Sequence, residues 1–245
     1  MRIWDINPGY LNRQSLLGEH RELHGIVSIL VNGKKGYSRH PETLRWLGYG
    51  WALQQRHRLL AAEMALRGYT DRTPVLLQSR PGIWPDSFID EPGRQFAILA
   101  EKHREREPGR IPFPKDAQQL WSQHKYSVLA RDVPLYKNLG RKVSLMKPHQ
   151  DFSDLANLLS GTIRQQPTAG GLQNALQHMW GYVSDYPNVS GNRVGSWSLQ
   201  KLLTEIQQRT MANREPYLTT STALGELAAW LPEASTTFPD HLVES

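Results

Sequence analysis

The chain has 245 residues, 39% of them hydrophobic, with eight tryptophans and a net charge of +6. That length holds one large domain or two ordinary ones, and the apolar content is enough for genuine cores, which excludes a chain disordered throughout. Cysteine is absent, so disulfides, thiolate metal sites and thiol nucleophiles are excluded together, and no apolar run reaches membrane-spanning length.

The amino terminus reads Met1-Arg2-Ile3-Trp4-Asp5 with no hydrophobic signal core, so a cytoplasmic protein with no membrane partner is expected. Initiator methionine is removed when the second residue is small; Arg2 is large, so Met1 is expected to stay as the terminal residue. Its α-amine, with an ordinary pKa of about 7.7 to 8.0, is partly uncharged at neutral pH and is therefore a candidate nucleophile. The charge excess is uneven. Residues 1 to 80 hold twelve Lys/Arg against six Asp/Glu, while the rest of the chain is balanced. A local basic excess beside aromatic residues is the footprint of a nucleic-acid-binding surface.

Residues 10 to 31 carry Leu16, Leu23, Val27 and Leu30 at helical spacing and end at Asn32-Gly33, which predicts an amphipathic helix. On a wheel of 100° per residue, Glu22 lies about a quarter turn from the centre of that apolar stripe. Gly18 and Gly25 project close to the same line and leave bare backbone on either side of the carboxylate. The alternative is that these glycines admit another helix and that Glu22 is a surface ion-pair partner.

Asn32 to Tyr37 reads as a turn-rich basic loop, where Lys34, Lys35 and Arg39 can reach phosphate oxygens without reading sequence. Pro41-Glu42 opens a second helix predicted to run to Arg67-Gly68. Tyr37 and Trp46 are candidates for base stacking, with a core role the more common fate of such aromatics. The spacing of His20, His24 and His40 is not read as a metal-ligand set. Neither a metal nor an organic cofactor is expected.

An irregular connection from Thr73 to Phe88 precedes a charged helix over 92 to 107, and Pro108-Gly109, Pro112 and Pro114 then punctuate the chain. The expected division is therefore 1–112 and 113–245. Further helices are predicted over 115–130, 134–146, 151–165, 170–184, 197–213 and 217–230, with loops at Gly170-Gly171, Pro187-Asn188 and Ser190-Gly191-Asn192, and a frayed tail from 235. The fold class is mainly α, with two helical domains.

Several of these motifs, in this order and spacing, carry a resemblance: Met1-Arg2-Ile3-Trp4; Glu19-His20-Arg21-Glu22-Leu23; Gly33 to Tyr37 with His40-Pro41-Glu42; and Leu66-Arg67-Gly68-Tyr69. Over about residues 1 to 110 the chain resembles the pyrimidine-dimer DNA glycosylase family of endonuclease V type. The resemblance implies that the amine of Met1 attacks the deoxyribose carbon bearing a damaged base, that Glu22 is essential, and that abasic-site lyase activity follows. It implies damaged double-stranded DNA as partner, with Arg2 and Arg21 on phosphates. His20 would orient Glu22 or a phosphate. Position 15 is serine here, where members of that family carry histidine.

The second part has its own motifs. His124-Lys125-Tyr126-Ser127-Val128-Leu129-Ala130, Tyr136-Lys137-Asn138-Leu139-Gly140 and His178-Met179-Trp180-Gly181-Tyr182 resemble the YbgA-like helical domain of unknown function, over about residues 115 to 235. The resemblance implies an association with nucleic-acid bases or repair and no known reaction. His124, Lys125, Tyr126, Arg131, Tyr136, His178 and Tyr182 would line a polar groove for a nucleotide or RNA, against the plainer alternative of helix packing. The competing readings of the whole chain are a non-catalytic nucleic-acid-binding protein and an accessory protein for modified bases in RNA. The residues do not fix an oligomeric state.

Overall fold

The computed structural model describes residues 1–186 and 197–231. The chain is all helical among these residues, with 3-10 turns and no strands, in agreement with the mainly α expectation. An extended amino-terminal segment leads through a 3-10 turn at Pro8–Tyr10 into α1 (Arg13–Asn32), which is capped by the Asn12 side chain on the Ser15 N–H and closed by left-handed Gly33.

The helix expected over 41–67 is two helices, α2 (Pro41–Arg45) and α3 (Gly50–Leu66). The break falls at Gly48, whose φ of 83° no right-handed helix accommodates. It lets Trp46 turn inward, where it is buried and its indole N–H donates to Glu42 at 3.0 Å. Trp46 is thus a core residue and unavailable for stacking, whereas Tyr37 is exposed.

Beyond an irregular stretch come α4 (Pro92–Lys102), α5 (Ala117–Leu129), α6 (Val133–Ser144), α7 (Ser153–Ile163), α8 (Ala169–Trp180) and α9 (Leu199–Asn213). α4 is shorter than the charged run 92–107 because the chain leaves the helix at His103. The stretch predicted as one helix over 217–230 is two single turns, α10 (Pro216–Thr219) and α11 (Ala223–Glu226), followed by a 3-10 turn at Leu227–Trp230. The expected loops at Pro187-Asn188 and 190–192 and the tail from 235 lie outside the described residues.

Two hydrophobic clusters organise these helices. The first joins Ile3, Leu16, Leu23, Ile26, Leu53, Leu60, Phe96 and Leu99, and continues through Ile111 into Leu120, Val128, Leu139 and Leu159. The second gathers Leu172, Leu176, Met179, Leu203, Ile206, Leu218 and Leu224. α5 is a wall between them, giving Leu120 and Val128 to one and Tyr126 and Leu129 to the other. Hydrophobic packing therefore runs on past residue 112.

α4 and α7 pack closely at Gly93, where an added Cβ would come within 2.8 Å of the Ser153 Cα. Buried ion pairs tie distant segments together: Asp5 with Arg45 (2.9 Å) and Arg164 (2.5 Å), Glu63 with Arg67 and Arg110 (both 2.7 Å), and Arg131 with Glu226 (3.0 Å). Among the described residues no helix is long and apolar enough to cross a membrane.

Candidate nucleic-acid site on the first helix

Two glutamates one turn apart on α1 hold the amino-terminal segment. Glu22 Oε2 accepts the backbone N–H of Arg2 at 2.5 Å, and Glu19 Oε1 accepts that of Trp4 at 3.2 Å. Only a Cα and a carbonyl carbon separate the Arg2 amide nitrogen from the Met1 nitrogen, so the bond that fixes Arg2 leaves that nitrogen one residue away from the partner of the Glu22 carboxylate. Glu19 is buried and also takes Arg56 Nε at 2.7 Å and Nη2 at 3.0 Å. Burial raises its pKa, and the Arg56 charge and hydrogen bonds oppose that rise. Arg56 in turn donates to the Ile6 carbonyl at 2.9 Å. Asp5 and Gln95 clasp each other, with Asp5 N–H on Gln95 Oε1 at 2.7 Å and Gln95 Nε2 on Asp5 Oδ2 at 2.8 Å.

Glu22 faces a cleft of about 220 Å³ whose lining includes Arg2, Trp4, Gly18, Arg21, Lys102 and Arg106. A Cβ built on Gly18 meets nothing within 4 Å, and the same holds at Gly25, so the bare backbone read from the sequence faces open space rather than another helix. A flat ring or sugar can approach the carboxylate there. The cleft's cations are unequal. Arg2 pairs with Asp90 at 2.9 Å and lies 4.6 Å over the Trp4 ring, while Arg21, Lys102 and Arg106 are exposed, Arg106 reaching Gln14 Oε1 at 2.7 Å. Lys102 and Arg106 were missed from sequence. Their separation by one helical turn in the charged run was the available signal, and only packing brings that run to α1.

At position 15, where the related family carries histidine, Ser15 Oγ lies 3.1 Å from Nε2 of buried His103. An imidazole thus reaches this position from the end of α4. Burial, with Lys102 and Arg106 nearby, lowers the His103 pKa and keeps the ring neutral near pH 7.

Other residues singled out from sequence lie elsewhere. Lys34, Lys35 and Arg39 are exposed in the loop after α1, about 16 Å along the helix from Glu22 at 1.5 Å per residue. His40 caps α2, its Nδ1 accepting the Glu42 N–H at 3.1 Å. His20 points away from Glu22. By the wheel it sits roughly 160° around α1, and its Nε2 is 3.2 Å from Asp71 Oδ1.

In the second part, Lys125, Tyr126, His178 and Tyr182 come together. Lys125 Nζ lies 4.8 Å from the Tyr126 ring centre and 4.5 Å from that of Tyr217, Tyr182 stacks on Tyr217 at 5.0 Å, and Tyr126 Oη donates to Tyr182 Oη at 3.2 Å. His178 faces Tyr126 with ring centres 6.5 Å apart. Tyr136 packs on Trp121 at the edge of this group, close enough to act electrostatically on Lys125 and Tyr126. His124, on α5, is buried against Tyr10, its Nδ1 donating to the Leu120 carbonyl at 2.9 Å, and burial pushes its pKa down to about 4. The Arg131 side chain is buried on Glu226.

Comparison with known proteins assigns the two parts separately. Residues 1–77 match the family described as pyrimidine dimer DNA glycosylase, and residues 125–226 match a family described as protein of unknown function (DUF1722). A Cupriavidus necator protein named as an uncharacterized symporter is 36% identical over 127 residues, covering 43% of this chain. The match spans 18% of that relative's length, and the transport in its name is said of that protein. No solved structure matches.

Proposed function

We propose, from a chain that joins a segment of the pyrimidine dimer DNA glycosylase family to one of unknown function, that residues 1–112 form a DNA repair glycosylase with abasic-site lyase activity and 113–245 an accessory helical module. The observation that carries this reading is the Glu22 carboxylate at 2.5 Å from the Arg2 N–H, beside the start of the chain and in a cleft rimmed by cations.

With Met1 as the mature terminus, its amine attacks C1′ of the damaged nucleotide. The nitrogen–C1′ bond forms as the bond to the base breaks, and the base departs with a proton. The nitrogen lone pair then expels O4′ from C1′, O4′ takes a proton from water, and the opened sugar is an iminium, which an amine can form and a hydroxyl cannot. The iminium acidifies the C2′ proton; Glu22 removes it, the C3′–oxygen bond breaks, and the 3′ phosphate leaves. In the first step the same carboxylate opposes the positive charge that grows on the sugar. Arg21, Lys102 and Arg106 supply phosphate contacts, and the bare backbone at Gly18 makes room for an extruded nucleotide. Lys34, Lys35 and Arg39 extend the phosphate track along the duplex.

Borohydride reduction tests this reading. Incubated with duplex DNA containing an abasic site or a pyrimidine dimer, the protein is expected to give a covalent adduct whose sequencing places the DNA on Met1. Binding without any adduct would leave a nucleic-acid-binding protein and overturn the enzyme.

A further inference from the structure

The face of α1 turned away from Glu22 carries a second cluster, built by packing against α3. His20 and His24, one turn apart, meet His57 of α3 and Asp71 of the connection that follows it, and a donor atom from each lies within 4.8 Å of the other three. His20 Nε2 is 3.2 Å from Asp71 Oδ1 and 3.3 Å from His24 Nε2, and His57 Nε2 is 3.3 Å from Asp71 Oδ2. Four ligands at about 2.0 to 2.1 Å around a tetrahedral ion stand roughly 3.3 to 3.4 Å apart, so the two separations that meet at His20 Nε2 are already close to edges of such a site, and His57 approaches the other oxygen of the same carboxylate.

Protons alone satisfy this arrangement poorly. Each imidazole nitrogen carries one hydrogen or one lone pair, yet His20 Nε2 faces both a carboxylate and a second ring nitrogen, and His24 Nε2 also faces Thr73 Oγ1 at 3.2 Å. His57 Nε2 is buried and makes no hydrogen bond. Asp71 is held in place by Thr73, whose backbone N–H and hydroxyl donate to Oδ1 at 3.1 and 3.2 Å. A carboxylate oriented by its own partners beside converging ring nitrogens is how metal ligands are prepared.

We propose that His20, His24, His57 and Asp71 bind one divalent transition-metal ion, with zinc the best fit to three nitrogens and one oxygen in tetrahedral array. With four protein ligands no position is left open for substrate, so the ion is structural. It ties α1, α3 and the segment at Asp71 together behind the helix that presents Glu22. Magnesium and calcium are disfavoured, because both take mainly oxygen ligands in larger coordination numbers.

The test uses the untagged full chain, stripped with a chelator and titrated with Co²⁺ and then Zn²⁺. The expected result is a single Co²⁺ per chain with the strong visible absorption of four-coordinate cobalt, displaced by an equal amount of Zn²⁺, and a higher melting temperature with Zn²⁺ bound. His24→Gln and Asp71→Asn are each expected to weaken binding by at least tenfold, and Thr73→Val by about tenfold, in the range for loss of a ligand's partner. Failure of the wild-type chain to bind Co²⁺ in this geometry would overturn the site. So would affinity unchanged in both ligand variants, since the ion would then sit elsewhere. Glu22→Gln should bind metal as the wild type does, so this result and the trapping result succeed or fail separately.

Discussion

Glu19 and Glu22 sit one turn apart on the same helix and both accept an N–H from the same amino-terminal segment, yet they meet opposite surroundings. Glu19 is buried at the back of the same cleft and engaged, taking two nitrogens of Arg56 besides the Trp4 N–H. Glu22 is half-buried, holds the Arg2 N–H, and opens onto the cationic cleft. A buried carboxylate already neutralised by a guanidinium holds structure, whereas one with free capacity facing solvent can take a proton or oppose a cation. The contrast teaches that a residue's chemistry is set by what is left unsatisfied around it.

The largest effect should come from Glu22→Gln. Strand scission on abasic duplex should fall on the order of 10³-fold, as for loss of a general base or a preorganised charge, while DNA affinity and melting temperature hold. Gel assays of scission beside binding isotherms check this, and unimpaired scission would remove Glu22 from the chemistry. Glu19→Gln should invert the pattern. Leaving Arg56 as a buried charge without its partner should cost about 3 to 5 kcal/mol of unfolding free energy in urea titrations. Activity should then track the folded fraction, and a loss of activity in a fully stable variant would break the contrast.

The interior side also has a pH signature. His124 binds its proton near 6.5 in the unfolded chain and only near pH 4 in the fold, so between those values the unfolded state binds more protons. Stability from this group is therefore fully present above about pH 6.5 and is lost as pH falls toward 4, by about 3 kcal/mol in all. Other buried histidines contribute slopes of the same sign, so the difference between the wild type and His124→Asn isolates this one. Equal slopes in the two proteins would refute it.

The smallest effect is expected at Gly18→Ala, which adds a methyl to the open cleft. Alanine should stabilise the helix by up to about 1 kcal/mol while kcat/KM falls, because the methyl occupies the approach to Glu22. A variant both more stable and fully active would show that substrate does not pass over Gly18.

Much of this was legible in the chain. The end of α1 at Gly33, the prolines opening α2 and α4, and the glycines beside Glu22 are local signals, written within a few residues of the feature they cause, while the start expected at residue 10 falls at Arg13 behind the Asn12 cap. The break at Gly48 was not, because a glycine within a helical pattern is tolerated or kinked according to what pulls the neighbouring Trp46 inward. Lys102 and Arg106 were hidden for a similar reason: their charge was plain, and the cleft they rim was not.

The sequence by itself determined which side chains α1 presents on each face, since a helix repeats every 3.6 residues whatever surrounds it. Only the tertiary structure decided what each face meets. Arg56 reaches Glu19 across 37 residues, His57 reaches His20 across the same interval, and Asp71 closes the cluster from 51 residues away. Burying the apolar stripe of α1 against the enclosed helix α3 is what draws these groups together. No local pattern carries that information, because the hydrophobic effect specifies that faces must meet and leaves to packing which polar residues arrive with them.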